Sequence, residues 1–195
     1  MSFILDSKLA AQADKTPPIS SPCAAVGVIT QAWEETSQAG AVGLKLNFKR
    51  NDGAEARHIT IWHTAKNGQR IEAGINKINA LLYCLKVREA KKISGKIKKW
   101  NHDTKKDEDA SAPVYPDFCN KKIGLCLGVE FYNDKQKMVL DCAFDSESKK
   151  TASELINQTD ARIVDAYIAK YAKQSEKKSE SVEKSEIDFD DDIPF

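Results

Sequence analysis

The last eight residues of the chain bring two kinds of binding group into one short segment. They are Asp188, Phe189, Asp190, Asp191, Asp192, Ile193, Pro194 and Phe195. Repulsion between the aspartates keeps such a segment extended, and the fixed φ of Pro194 lowers the entropy that the apolar tip loses on docking. A partner that offers an apolar pocket for Phe195 and a basic residue for its terminal carboxylate could hold this tip. The sequence therefore predicts a protein-docking peptide.

The tip resembles the C-terminal tip of bacterial single-stranded DNA-binding proteins (SSB), which also end in an acidic run closed by Ile-Pro-Phe. The resemblance covers only residues 188–195. It implies that the tip binds enzymes of DNA replication, recombination and repair, and that it competes with DNA for the protein's own basic groove. The alternative is a solvated acidic tail that keeps the protein soluble, and the Ile-Pro-Phe end favours docking over that alternative.

Charge is distributed unevenly along the 195-residue chain. Residues 174–195 carry eight acidic and three basic side chains, a net charge of −5, so the net charge of +1 for the whole chain leaves +6 for residues 1–173. This arrangement is typical of nucleic-acid binders, because phosphates are attracted to the basic body while the acidic tail limits non-specific binding.

Several classes of protein are disfavoured by the sequence. No apolar run is long enough to span a membrane, and the N-terminal residues lack the pattern of a signal peptide. The five cysteines are an odd number without a Cys-x-x-Cys pair, which favours reduced thiols in a cytoplasm. The resemblance to SSB implies that this is the cytoplasm of a bacterial cell or phage-infected host. His58 and His63 fall on opposite faces of a predicted strand, and phosphate-loop and nucleophile-elbow motifs are absent. We therefore expect no enzyme activity, no metal site and no cofactor.

The clearest periodicity lies in residues 42–50, where Val42, Leu44, Leu46 and Phe48 alternate with polar or small residues. This period of two predicts a strand with one buried face and one polar, basic face. Similar patterns, separated by turn signals, predict strands at 23–36, 42–50, 56–64, 122–132 and 137–144. Apolar stripes of helical spacing predict helices at 69–87 and 160–173. Thr151 followed by Glu154 predicts a capping box at the start of a further helix.

This order of elements predicts a mainly β protein: a five-stranded OB-fold barrel with a helix between strands three and four, a C-terminal helix and a disordered acidic tail. The expected organisation is an N-terminal arm at 1–22, an OB-fold DNA-binding domain at 23–173 with a basic loop at 88–112, and a disordered protein-interaction tail at 174–195. Outside the tip, the body resembles divergent OB-fold single-stranded DNA-binding proteins of phages and prophages.

The outer faces of strands two and three form the nucleic-acid platform of an OB barrel. The candidate DNA contacts there are Lys45, Asn47, Lys49, Arg50, Arg57 and Trp62, and in the basic loop they are Lys98, Lys99 and Trp100. Cationic side chains can neutralise phosphates, and an exposed indole can stack on a base, which is worth about 1–3 kcal/mol. The alternatives are that the lysines form a solvated strand face, that Trp62 covers the barrel end, and that the loop is only a solvated surface segment.

Three other aromatic residues have expected places. Trp33 is expected to pack at the edge of the barrel rather than to stack on a base. Phe131 and Tyr132 point to opposite faces of one strand, so one of them belongs in the core, and Tyr132 is the candidate to reach DNA.

Two functions are consistent with these features. The first is sequence-tolerant binding of single-stranded DNA, which protects the strand while the tip recruits DNA replication and repair enzymes as partners. The second is an interaction protein that binds no DNA and uses its tip to occupy the pockets of host SSB partners. The sequence leaves homo-oligomerisation open.

Overall fold

The computed structural model describes Ser7, residues 16–101, Thr104, residues 106–132 and residues 135–185. This part of the chain forms seven β-strands, three α-helices and one short 3-10 helix, Pro116–Phe118. The strands are β1 Cys23–Thr36, β2 Val42–Arg50, β3 Glu55–Thr64, β4 Ile93–Asn101, β5 Lys106–Val114, β6 Lys122–Tyr132 and β7 Lys135–Phe144. The helices are α1 Glu72–Cys84, α2 Ala152–Ile156 and α3 Ile163–Ser185.

The long strand β1 is the centre of one antiparallel sheet. Along one edge it pairs with β2, from Gly27 to Thr36. Along its other edge the first half of β1 pairs with β6, and Trp33 pairs with Val114 of β5. The hydrogen-bonded path is therefore β3-β2-β1-β6-β7, with the β5-β4 hairpin branching from β1.

The sheet is open between β3 and β7, which contact each other without a hydrogen-bonded ladder in the described residues. The segment 16–20 lies at this opening. The Ile19 amide donates to the Glu55 carbonyl oxygen at 2.7 Å, and the Glu55 amide donates to the Pro17 carbonyl oxygen at 2.9 Å. On the other side, the Gln136 side-chain amide donates to the Ser20 carbonyl oxygen. Part of the predicted N-terminal arm therefore bridges two strands, whereas residues 1–6 and 8–15 lie outside the described residues.

The main core fills the inner face of the sheet, as the alternation in residues 42–50 predicted. Leu44, Leu46 and Phe48 are buried, and their polar neighbours on β2 point to the other face. Burial of apolar surface on this scale is the main source of folding free energy. The other large side chains of this core include Ile29, Ile59, Leu81, Phe118, Ile123, Leu125, Leu127 and Leu140.

Helix α3 covers part of the outer face of the sheet. Its Val164 and Tyr171 are buried against Cys126 of β6 and Phe144 of β7. The Tyr171 hydroxyl donates a hydrogen bond of 2.7 Å to Asp141 of β7, which satisfies its polar group at the edge of this cluster. Helix α3 therefore covers the outer face of the sheet over β6, β7 and the first half of β1, where Ala24 and Val26 pack against the same cluster.

Glu154 joins α2 to α3. Its Oε2 accepts bonds from the Thr151 amide at 2.8 Å and the Thr151 hydroxyl at 2.9 Å, which confirms the predicted capping box. Its Oε1 accepts bonds from the amides of Arg162 at 2.7 Å and Ile163 at 2.8 Å. Burial would raise the pKa of Glu154, but these hydrogen bonds outweigh it and lower the pKa to about 2. One buried carboxylate thus satisfies the first amide groups of two helices.

The mainly β class is confirmed, but the architecture differs from a closed five-stranded barrel because the sheet has seven strands and an open edge. The two additional strands correct the predicted basic loop at 88–112, which is largely the hairpin β4–β5. In that hairpin Lys98 faces Asp109 and Lys99 faces Glu108, so opposite charges pair across the strands.

Helix α3 extends to Ser185. The disorder that the sequence predicted from residue 174 onward is therefore corrected for residues 174–185, which are helical. The tip at 188–195 lies outside the described residues.

Candidate nucleic-acid interface

The outer face of β2 and β3 carries the predicted platform. Cross-strand register places Lys45 between Trp33 of β1 and Thr60 of β3, and places Gly43 opposite Trp62. Trp62 is 38 % exposed. Its indole lies across Gly43, where an added Cβ would be 2.7 Å from the ring. Glycine at this position therefore makes room for a partly exposed aromatic ring beside a lysine.

Asn47 has a structural role on this face. Its side-chain amide donates to Gln31 at 2.9 Å, and its oxygen accepts the His58 backbone amide at 3.0 Å. His58 lies at an irregularity in the β2–β3 ladder and has a left-handed φ of 62°, a conformation that costs free energy for a residue with a Cβ. A DNA contact by Asn47, as the sequence suggested, would have to replace hydrogen bonds that hold this bend.

Every predicted cationic contact on the platform and hairpin is paired with a carboxylate. The nitrogen–oxygen distances are 3.5 Å for Lys45–Glu35, 3.9 Å for Lys49–Glu55, 2.7 Å for Arg50–Asp52, 3.1 Å for Arg57–Glu55, 2.7 Å for Lys98–Asp109 and 3.6 Å for Lys99–Glu35. Six cations thus share four carboxylates, a local net charge of +2. Exposed pairs of this kind contribute only about 0–1 kcal/mol, so phosphates can compete for these cations.

The pairing also appears in the pKa values of the acids. The hydrogen bond from Arg50 lowers the pKa of Asp52 to about 2. The bond from Lys98 likewise lowers the pKa of Asp109. These carboxylates remain ionised at neutral pH, so the ion pairs persist throughout the physiological range.

The other aromatic candidates are placed unequally. Trp33 is only 2 % exposed, as expected for a packing residue. Phe131 is 68 % exposed, so it is not a core member of β6. The backbone of Trp100 belongs to β4, but its side chain and that of Tyr132 lie outside the described part of the structure.

A groove of about 900 Å³ adjoins the platform at the open edge of the sheet, between β3 and β7. The platform side contributes Lys45, Arg57, His58 and Thr60, and β7 contributes Gln136, Lys137 and Met138. Gln136 is the cross-strand partner of Phe131. The β7 residues of the groove could not be predicted from the sequence, because the groove joins strands that are far apart in the chain. The aromatic and basic residues around the β6–β7 turn were the sequence signal that could have indicated the groove.

The described residues contain no group of three or more His, Cys, Asp or Glu side chains placed to hold a metal ion. None of their helices combines the length and the apolar composition needed to cross a membrane. All five cysteines are free thiols, and burial raises the pKa of the Cys84 thiol to about 12, which makes it unreactive at neutral pH.

Comparison with known proteins does not assign the chain. No protein-family model matches it, and no curated protein matches its sequence.

Proposed function

We propose that this protein binds single-stranded DNA without sequence preference, using the outer face of β2 and β3 and the adjoining β3–β7 groove. The observation that carries the proposal is Trp62, a partly exposed indole that lies over Gly43 on a face whose cations are all held in replaceable ion pairs. A stacking ring beside cations is the combination used for unpaired strands, since every base has a flat face and every nucleotide a phosphate.

Binding on this surface combines stacking with charge neutralisation. Trp62 supplies the stacking surface, and Lys45, Lys49 and Arg57 exchange their carboxylate partners for phosphates. Lys137 adds a cation on the β7 side of the groove, and exposed Phe131 adds an aromatic ring on the adjacent strand. Asn47, the amide expected on the platform, is already hydrogen-bonded within the protein, which agrees with a surface that does not read base edges.

The fold proposed for this function is an OB-type barrel that is open on one side. The path β3-β2-β1-β6-β7, with β7 contacting β3, is the neighbour order of a five-stranded OB barrel, which is itself partly open. In this interpretation β4 and β5 are an inserted hairpin, and the segment 16–20 bridges the open edge. The proposed binding face is then the one that OB-folds use for oligonucleotides.

The C-terminal tip, residues 188–195, is proposed to recruit DNA replication and repair enzymes. Its acidic and apolar composition supports docking into a basic-rimmed apolar pocket. Helix α3 leads toward it, and at about 1.5 Å per residue the part of α3 after Tyr171 moves the chain about 20 Å along the helix axis. Action on DNA beside these enzymes implies a cytoplasmic site of action.

Titration with oligo-dT at two salt concentrations tests the proposal. The full chain is expected to bind at low salt and to lose affinity steeply as salt rises, because phosphate binding releases counterions. A chain that lacks residues 188–195 is expected to bind DNA equally or more tightly while it loses its enzyme partners. Absence of any binding at low salt overturns DNA binding.

The alternative function is an interaction protein that docks through the tip and binds no DNA. The observation that favours it is the complete pairing of the six predicted cations with carboxylates. Under this alternative, the full chain would bind SSB-partner enzymes but show no affinity for oligo-dT at low salt.

A further inference from the structure

Three hydrogen-bond donors converge on one carboxylate beside the platform. The Trp33 indole Nε1–H donates to Glu35 Oε2 at 3.1 Å, and the Lys45 Nζ lies 3.5 Å from the same oxygen. The Lys99 Nζ lies 3.6 Å from the other oxygen, Oε1. Two ammonium groups and an indole N–H thus surround one anionic group, which is the donor set of an anion-binding site.

The elements of the fold hold these donors in place. Trp33 is almost fully buried although it faces outward on β1, and Lys45 lies 5.9 Å from the centre of its ring. The His58 ring packs edge-on against the same indole, with 6.0 Å between ring centres. Because its surroundings restrict the indole, its N–H has a fixed direction, and the site does not depend on flexible side chains alone.

The occupant is an anion at neutral pH. Partial burial would raise the pKa of Glu35, but the hydrogen bond from Trp33 and the charges of Lys45 and Lys99 outweigh it, so the pKa lies below its ordinary range. Glu35 comes from the chain itself, near the end of β1, one residue before exposed Thr36. Its side chain can therefore leave the donors by rotation without breaking the sheet.

We propose that Trp33 Nε1–H, Lys45 and Lys99 form a phosphate-binding subsite, that Glu35 occupies it in the free protein, and that a backbone phosphate of single-stranded DNA displaces Glu35. The inference rests on the proposed function. A phosphate diester offers two anionic oxygens to the same donors, and charge-assisted bonds to such oxygens are strong. The two anions cannot share the site because like charges repel at this distance.

The subsite also links the hairpin to the bound strand. Lys99 belongs to β4, whereas Trp33 and Lys45 belong to β1 and β2. A phosphate bound by Trp33, Lys45 and Lys99 together would therefore hold β4 against the bound DNA. The base of the hairpin stays attached through Lys92, whose Nζ lies 3.2 Å from Glu34, so displacement of Glu35 need not release the hairpin.

The first arm of the test compares Glu35→Gln with Glu147→Gln by oligo-dT titration. The first variant keeps an oxygen acceptor for Trp33 but removes the competing charge. The second removes the same charge from an exposed position in the turn after β7. We expect Glu35→Gln to bind about fivefold more tightly at low salt, the size expected for the release of two surface ion pairs, and Glu147→Gln to match the unmodified chain. Equal unfolding midpoints of the two variants serve as the folding control.

The second arm observes the subsite directly by ¹H–¹⁵N NMR of the tryptophan side chains, with the Trp33 signal assigned by elimination using Trp62→Phe and Trp100→Phe. Inorganic phosphate should move the Trp33 indole N–H signal in Glu35→Gln but not in the unmodified chain, and oligo-dT should move it in both. Tighter DNA binding by Glu35→Gln without movement of this signal would indicate a general charge effect and overturn the subsite.

The remaining outcomes separate the inference from the proposed function. If all chains bind oligo-dT equally and the Trp33 signal stays in place, the subsite is wrong and DNA binding stands. If no chain binds oligo-dT at low salt, the proposed function is wrong, and the phosphate titration of Glu35→Gln alone decides the subsite: movement of the Trp33 signal supports an anion site, and no movement overturns it.

Discussion

The two ends of the sheet's outer surface are built differently. Near β6 and β7 the outward side chains Cys126 and Phe144 are apolar, and Val164 and Tyr171 of α3 bury them. On β2 and β3 the outward side chains are polar or charged, apart from the partly exposed Trp62. The outer side of the sheet is thus mainly apolar where α3 covers it and mainly polar on β2 and β3. The β2–β3 face is therefore a polar, solvent-facing surface. A polyanion can bind to such a surface, whereas a packed helix requires an apolar one.

Carboxylates on the two faces also have different partners. Under α3, Asp141 accepts a 2.7 Å hydrogen bond from the Tyr171 hydroxyl and so holds the helix to the sheet. On the platform, Asp52 and Glu55 pair with the flexible side chains of Arg50, Lys49 and Arg57. A hydrogen bond inside a packed cluster resists exchange, whereas an exposed ion pair can be replaced by a phosphate. The covered face should therefore determine stability, and the open face should determine binding.

The largest effect is expected from Glu154→Gln, at the junction that positions α3. A glutamine side chain has only one acceptor oxygen. Its NH₂ group would face backbone N–H groups that Glu154 now satisfies, and two donors cannot bond to each other. We expect a loss of about 3 kcal/mol in the free energy of unfolding, because buried donors lose a charged partner. Denaturant unfolding measures it. Glu147→Gln, in the preceding exposed turn, should change the value by less than about 0.5 kcal/mol, and equal losses in both variants would contradict the capping role.

The pH dependence of unfolding sharpens the same prediction. The pKa of Glu154 is about 2 in the folded protein against an ordinary value of 4.5. A lowered folded pKa means that the stabilisation is complete above the ordinary value and disappears as pH falls from about 4.5 toward 2. Stability of the unmodified chain should therefore fall over this window, and Glu154→Gln should show a smaller fall. Parallel curves would contradict this assignment.

Glu154 shows which hydrogen bonds could be predicted from the sequence and which could not. The spacing Thr-x-x-Glu predicted the capping box at Thr151 because that motif is local. The bonds that Glu154 accepts from the Arg162 and Ile163 amides could not be predicted, since they depend on how α3 folds back on α2. Strand β2 could be predicted for the same reason, because alternation is also a local pattern. The alternation in residues 42–50 matched β2 and identified its outward lysines.

The hairpin β4–β5 was missed because its strands are rich in charge and show no clear apolar alternation, although Ile97 is buried. Residues 93–101 and 106–114 are rich in charge, and their local pattern predicts a solvated loop. Only their pairing, with Lys98 opposite Asp109, makes the opposite charges complementary. For the same reason Glu35 was absent from the predicted site. It lies on β1, and its role arises where Lys45 and Lys99 approach it from two other strands.

The next largest effect is expected from Trp62→Ala on DNA binding. Loss of one stacked base should cost about 1–3 kcal/mol of binding free energy, a decrease of about tenfold or more in oligo-dT affinity. Tyr83→Ala is the matched control, because Tyr83 is an exposed aromatic residue of α1 that lies off the platform. Fluorescence anisotropy measures both. An equal decrease in the two variants would mean that the β2–β3 face is not the stacking surface.

Tyr171→Phe tests the covered face alone. The substitution keeps the ring in its apolar cluster and removes only the hydroxyl that donates to Asp141. We expect a loss of about 1 kcal/mol in unfolding free energy and unchanged affinity for oligo-dT. If this variant instead weakened DNA binding while folding normally, the division between a stabilising face and a binding face would be wrong.

The smallest effect, and the most specific, is expected from Lys49→Gln compared with Lys170→Gln. The two lysines are closely matched: their Nζ atoms lie 3.9 Å from Glu55 and 3.8 Å from Asp141, and their side chains are 45 % and 54 % exposed. Each substitution removes one positive charge, so any effect of net charge alone should be equal. A phosphate contact by Lys49 should reduce the slope of log affinity against log salt by about 0.7, the contribution of one contact with a single strand. Lys170 lies on α3, above the covered face, and its loss should leave that slope unchanged. Equal slopes for the two variants would place the phosphates elsewhere than on β2, because the two substitutions remove the same charge from ion pairs of similar length and exposure.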